Sequence, residues 1–163
     1  VYQVMIESLD DDAGFLGTYL DTVEVRSFEG TGLALSDLAI NRRSVTRPGG
    51  KGRKGTVFLS APEGTGVRGK TLEVFAEVYN LAVYPKPDST RYSTSFSVRS
   101  EGEAEEWTVV SSEQHRGDAR WEPITLKLDL AVSAPGPKQL RLRLTDHARS
   151  ETIETTAPFR VVW

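Results

Sequence analysis

One cluster of cations and a pair of tryptophans are the residues of this chain best placed to do chemistry. Arg42, Arg43, Arg47, Lys51, Arg53 and Lys54 lie within residues 42–54, interleaved with glycines. Cations on a Gly-rich segment can grip phosphate, an anionic glycan or an acidic partner. The segment lacks the Gly-x-x-x-x-Gly-Lys-Ser/Thr order of a phosphate loop. No aromatics are interleaved to stack on bases. Its plain reading is a solvated loop. Trp107 and Trp121 flank the polar stretch Ser112-Glu113-Gln114-His115-Arg116-Gly117-Asp118. Exposed on a sheet face, the two rings would stack on sugars. Turned inward they are core, and Trp121, just before Glu122-Pro123 and a strand-like run, suits an edge plug.

The other polar groups offer less. Glu101, Glu103, Glu105 and Glu106 crowd one Gly-containing connection before Trp107. Glycosidic acid–base chemistry needs two carboxylates facing each other across a cleft, and one loop does not provide that. Asp10-Asp11-Asp12 ends a strand-like run and could collect a hard cation, but the EF-hand pattern is missing. His115 and His147 are the two histidines, and neither has a Ser, Asp or second His at triad or ligand spacing. The expectation is a chain with no catalytic residues, no metal site and no cofactor.

The elements that must position these residues have a period of two. Leu72, Val74, Ala76 and Val78 alternate with Glu73, Phe75, Glu77 and Tyr79. Ile124, Leu126, Leu128 and Leu130 alternate with Thr125, Lys127 and Asp129. Tyr92, Thr94, Phe96 and Val98, and later Leu140, Leu142 and Leu144, follow the same rule. Such strands bury one face and solvate the other, as in antiparallel sheets. Leu72, Val74, Ala76, Val78, Leu126, Leu128, Leu140, Leu142 and Leu144 are expected inside. Glu73, Glu77, Lys127, Arg141 and Arg143 are expected outside. Residues 33–40 read as strand rather than helix. Turn signals at Arg47-Pro48-Gly49-Gly50, Ala61-Pro62-Glu63-Gly64, Pro85-Lys86-Pro87-Asp88 and Ala134-Pro135-Gly136-Pro137 separate many short strands. That spacing predicts an all-β, immunoglobulin-like antiparallel β-sandwich.

One strand pair is written twice. Gln3-Val4-Met5-Ile6-Glu7-Ser8-Leu9-Asp10 echoes Gln139-Leu140-Arg141-Leu142-Arg143-Leu144-Thr145-Asp146, displaced by 136 positions (139 − 3). Val23 and Val25 match Phe159 and Val161 at the same displacement. A repeat at domain length is the signature of a tandem array. The expected organisation is therefore residues 1–30 as the closing hairpin of a preceding repeat, and residues 31–163 as a complete sandwich. An isolated two-stranded hairpin is marginal in water. It is expected to pack against the following domain or to exchange with a neighbouring molecule.

Composition suits an ordinary globular chain, with 38% hydrophobic and 26% charged residues. A net charge of −3 gives no bulk attraction to nucleic acid or to an anionic membrane. No apolar run approaches the ~20 residues that span a bilayer. There is no cysteine, hence no disulfide framework and no thiolate chemistry. The chain opens on Val1 without a signal-peptide core, which suits a processed protein or, given the repeat, an excised piece.

Leu35-Ser36-Asp37-Leu38, then Leu72-Glu73-Val74-Phe75-Ala76-Glu77-Val78-Tyr79-Asn80-Leu81, then Pro135-Gly136 before a strand ending at Asp146, follow a familiar order. This order resembles the repeated β-sandwich domains of bacterial exported proteins in the family named for its Gly-Trp-x-Thr-Asp motif. The resemblance covers most of the chain, although the name-giving motif is absent. It implies a secreted or cell-envelope bacterial protein and no catalytic activity. The expected role is a non-catalytic structural or protein-interaction module whose partner is a protein or a neighbouring repeat. A carbohydrate-binding module, with a glycan as partner, is the alternative. Within the Leu72–Leu81 segment, Asn80 follows the run and is expected to turn the chain and cap backbone groups.

Overall fold

A computed structural model describes residues 1–10, 14–24, 26–46, 48–50, 55–61, 64–85, 88–102 and 106–163. Strands account for 68% of it, far above the roughly 20–25% of an average globular domain. Among the described residues they number thirteen: β1 (Tyr2–Asp10), β2 (Phe15–Val23), β3 (Ala34–Leu35), β4 (Ala39–Thr46), β5 (Thr56–Ser60), β6 (Thr65–Val67), β7 (Thr71–Tyr79), β8 (Val83–Pro85), β9 (Asp88–Ser100), β10 (Thr108–Gly117), β11 (Glu122–Asp129), β12 (Gly136–Asp146) and β13 (Glu151–Val162).

Two sheets form the sandwich. The first runs β10-β9-β12-β13-β6, with β8 also on β9. The second runs β11-β7-β4-β5, with β3 also on β7. Pairing is antiparallel except where β6 meets β13. The alternating residues meet between the sheets. Leu72, Val74, Ala76 and Val78 face Leu140, Leu142 and Leu144, with Tyr92, Phe96, Ile124, Leu128, Phe159 and Val161 around them. Gly66 of β6 is a packing requirement, because a Cβ there would come within 2.5 Å of Leu130 Cδ1 and 2.7 Å of Leu72 Cδ1.

The expected inward face is present, with one softening: Leu126 is only half-buried at its edge. The outward face needs correction at Glu77, which is buried. The segment leading into β4 lies along this end of β7. Glu77 N–H donates to Ser36 Oγ and Ser36 N–H donates to Glu77 O, both at 2.9 Å, and Tyr79 Oη donates to the Glu77 carboxylate at 2.7 Å. A buried carboxylate needs a donor, and here the Tyr79 hydroxyl is one. Phe75 is buried on the same face, edge-on to Phe58 at 5.0 Å. Glu73 and Arg141 are half-buried rather than open, while Lys127 and Arg143 are exposed.

The β1–β2 hairpin forms a separate two-stranded sheet. Its register is that of β12–β13 displaced by 136 positions (139 − 3): Gln3 opposes Thr22 as Gln139 opposes Pro158, and Asp10 opposes Phe15 as Asp146 opposes Glu151. The turns correspond too. Gly14 and Ser150, at equivalent positions, take left-handed φ of 65° and 54°. The expected packing of this hairpin onto the sandwich is not found. Tyr2, Val4, Met5, Ile6, Leu9, Leu16, Tyr19, Leu20 and Val23 are all exposed, and the seat it resembles is filled by β12–β13.

Between hairpin and sandwich, the segment from Arg26 to Gly32 is tied down. Asn80 takes φ 62°, and its Nδ2 donates to Phe28 O at 3.1 Å and Gly32 O at 2.9 Å. Phe28 stacks on Tyr79 with centroids 4.4 Å apart. Arg149, in the β12–β13 turn, donates to Thr31 O at 2.6 Å, and Arg26 pairs with Asp37.

Candidate functional site

The basic segment is only partly described. Arg42 and Arg43 lie on β4 beside an irregularity in its pairing with β5, and both are exposed. Arg47, Lys51, Arg53 and Lys54 lie outside the described residues, as do Asp11, Asp12, Glu103 and Glu105. Arg43 adds to the positive field near Glu73. The Ser44 hydroxyl, above all, holds that carboxyl below the usual carboxylate range, assisted by the Ser44 N–H, Lys127 and Arg43 against the upward push of burial.

The two tryptophans have different surroundings. Trp107 precedes β10 and carries the guanidiniums of Arg141 and Arg99 against its ring, at 4.2 and 4.6 Å from the centroid. Those cation–π contacts occupy the surface a sugar would need. Trp121 instead lines a cleft of about 320 Å³ on the outer face of the second sheet. Phe75 and Thr125, opposed on β7 and β11, line it. Ser44, Gly50 and Thr56 come from the β4–β5 side, and Asp118, Ala119, Glu122 and Pro123 from the β10–β11 side. An indole beside carboxylates and hydroxyls is the arrangement with which proteins hold sugars: a ring to stack on and polar groups to orient the hydroxyls.

A second groove, about 650 Å³, opens at one end of the first sheet. Tyr84, Arg91, Tyr92, Gln114, His115, Arg116 and His147 line it. Sequence spacing gave no hint that the two histidines line one groove. Strand pairing is what brings them together: His115 opposes Tyr92 and Arg116 opposes Arg91, while the His147 N–H donates to Arg91 O at 3.0 Å. His115 stacks on Tyr92, and its Nε2 lies 2.8 Å from Thr94 Oγ1 and 4.0 Å from Glu113. Burial, with the charge of Glu122 behind it, pushes the Tyr92 phenol up to about 12. Tyr92 is therefore protonated at neutral pH. Next to the groove, buried Asp146 accepts the Ala82 N–H at 2.8 Å and the Ala148 N–H at 2.9 Å, fixing the turn that carries His147. Among the described residues, no group of three or more His, Asp or Glu side chains could hold a metal ion. No helix of the described residues is long and apolar enough to cross a membrane.

No family model and no curated protein matches the chain. Several solved structures share part of its form. A superoxide reductase (neelaredoxin) from Ignicoccus hospitalis aligns with TM-score 0.41 and 11% identity over 60% of this chain and 74% of its own. The CARDB domain of a Pyrococcus furiosus protein, solved in complex with di-metal ions, aligns with TM-score 0.45 and 10% identity over 86% of this chain and 100% of its own. A β-glucosidase from Listeria innocua, in complex with glucose, aligns with TM-score 0.45 and 10% identity over 81% of this chain but 16% of its own length. Likenesses this distant carry no functional inference.

Proposed function

We propose that the chain is a non-catalytic structural or protein-interaction module from a tandem array of β-sandwiches. The observation that carries this reading is the β1–β2 hairpin. It has the register and the turn conformation of β12–β13, with Val4, Ile6 and Val23 where the sandwich buries Leu140, Leu142 and Phe159, yet these three residues are exposed. A strand pair selected to close a sandwich belongs beside one. The linker held by Asn80 and Arg149 supports ordered succession of such domains, since it is fixed at the turn end of the following sandwich. The partner is a neighbouring repeat or another protein. The resemblance to exported bacterial repeat domains favours a secreted or cell-envelope setting.

A graft tests the reading. Residues 139–161 are replaced by residues 3–25, and the product is melted. A cooperative transition with a β-sheet circular dichroism spectrum is expected, at reduced stability because Ser8 takes the place of Leu144. An unfolded graft, alongside a folded control in which residues 139–161 carry Leu144→Ser alone, would overturn it.

The carbohydrate-binding reading keeps one specific support, the Trp121 cleft. It expects neutral oligosaccharides to change the fluorescence of the chain, and Trp121→Ala to remove that change. Titration without response would set it aside.

A further inference from the structure

We propose that the outward face of the first sheet binds the sulfate or phosphate ester groups of an anionic polysaccharide, through a site centred on Arg91 and Arg116. The core claims Tyr92, Phe96, Leu140, Leu142 and Leu144. The alternation therefore turns Arg91, Ser93, Ser95 and Arg99 of β9 outward, together with Arg141 and Arg143 of β12. Arg116 joins them from β10, directly opposite Arg91. The net charge of the chain is −3, so a face with five arginines is a local concentration and not an average property.

Folding alone disfavours this arrangement. Like charges directly opposite each other across a ladder are destabilising. Among the described residues no carboxylate pairs with Arg91 or Arg116, whereas Arg143 has Glu154 at 3.2 Å. Glu113 alternates to the other face of β10, where it lies 4.0 Å from His115. Two arginines at paired positions of neighbouring strands supply the forked donors that grip a tetrahedral oxyanion bidentately. The groove at this pair, about 650 Å³, is larger than a single ion requires. Gln114 lines the groove, and Ser93 and Ser95 continue the face; all three can bond sugar hydroxyls. From Arg91 to Arg99 the face extends eight residues, about 26 Å of strand, which suits a polymer with repeated anions. Tyr84 and Trp107, near the two ends, already carry the guanidiniums of Arg91 and of Arg99 and Arg141. They are not the free stacking platforms that single-stranded nucleic acid uses.

The test is titration of the full chain with dextran sulfate, dextran phosphate and uncharged dextran in low-salt buffer. One or both charged polymers are expected to bind, more weakly as salt rises, and uncharged dextran is expected not to bind. Comparing the two esters identifies which one the site prefers. Arg91→Gln with Arg116→Gln should weaken binding about tenfold or more, since each loses a charge-assisted bond. Arg42→Gln with Arg43→Gln, on the other sheet, should leave it unchanged. Should the glutamine pair fail to fold, Arg91→Lys with Arg116→Lys keeps the charge but loses the fork, and is expected to weaken binding to a smaller degree. The proposal is overturned if neither ester polymer binds or if the Arg42 and Arg43 changes weaken binding as much. It is also overturned if both Arg91/Arg116 pairs bind as the parent does, or if an oligonucleotide of equal charge binds as tightly through the same two arginines.

Discussion

Tyr92 shows how a single side chain links packing to solution behaviour. Its phenol would titrate at 10.0 in the open but is pushed up to about 12 in the fold. The folded state thus keeps a proton that the unfolded state has already lost. Stability from this group is complete below pH 10 and drains away as pH rises toward 12. Tyr92→Phe should flatten that alkaline loss, measured as urea midpoints across the window, while the neutral midpoint moves little. Leu142 tests the core itself. It has 0% exposure, so Leu142→Ala is expected to cost about 2–5 kcal/mol through lost transfer energy and an unfilled cavity. A cost near zero would mean the strand is read one residue out of register, which turns every side chain over.

At the scale of elements, the linker and the two hairpins carry the organisation. Asn80 occupies a left-handed backbone position and clamps two carbonyls of the linker. Asn80→Gly keeps the conformation and loses the clamp, with an expected cost of about 1 kcal/mol. Asn80→Ala should cost roughly 1–2 kcal/mol more, because a Cβ disfavours that backbone region. Equal costs for the two would deny the backbone a role. Much of this level was legible beforehand. Alternation marked the inward leucines of β12, the 136-residue displacement marked the paired hairpins, and the position of Asn80 marked a cap. The burial of Glu77 was not legible, because it depends on Ser36, forty-one residues away, lying along β7. Nor was the Arg91–Arg116 pair. Each arginine follows the local pattern of its own strand, and only the long β9–β10 pairing sets them opposite each other. Trp107 and Trp121 looked alike in sequence and diverged once Arg99 and Arg141 claimed the first.

The whole molecule is a two-sheet β-sandwich preceded by a hairpin with the register of β12–β13. Among the described residues the two parts meet through the linker, since Tyr2, Val4, Met5, Ile6, Leu9, Leu16, Tyr19, Leu20 and Val23 are exposed while the buried core cluster lies after Gly32. On this account the hairpin contributes nothing to the stability of the sandwich, and its proper partner is a neighbouring domain of the same architecture. Removal of residues 1–24, leaving the Arg26–Gly32 clamp in place, tests that claim most directly by comparing the melting of the shortened and full chains. The account predicts a single cooperative transition in both, with stabilities equal within about 0.5 kcal/mol. A fall of several degrees on removing the hairpin would contradict it, because the hairpin would then be an integral part of this domain.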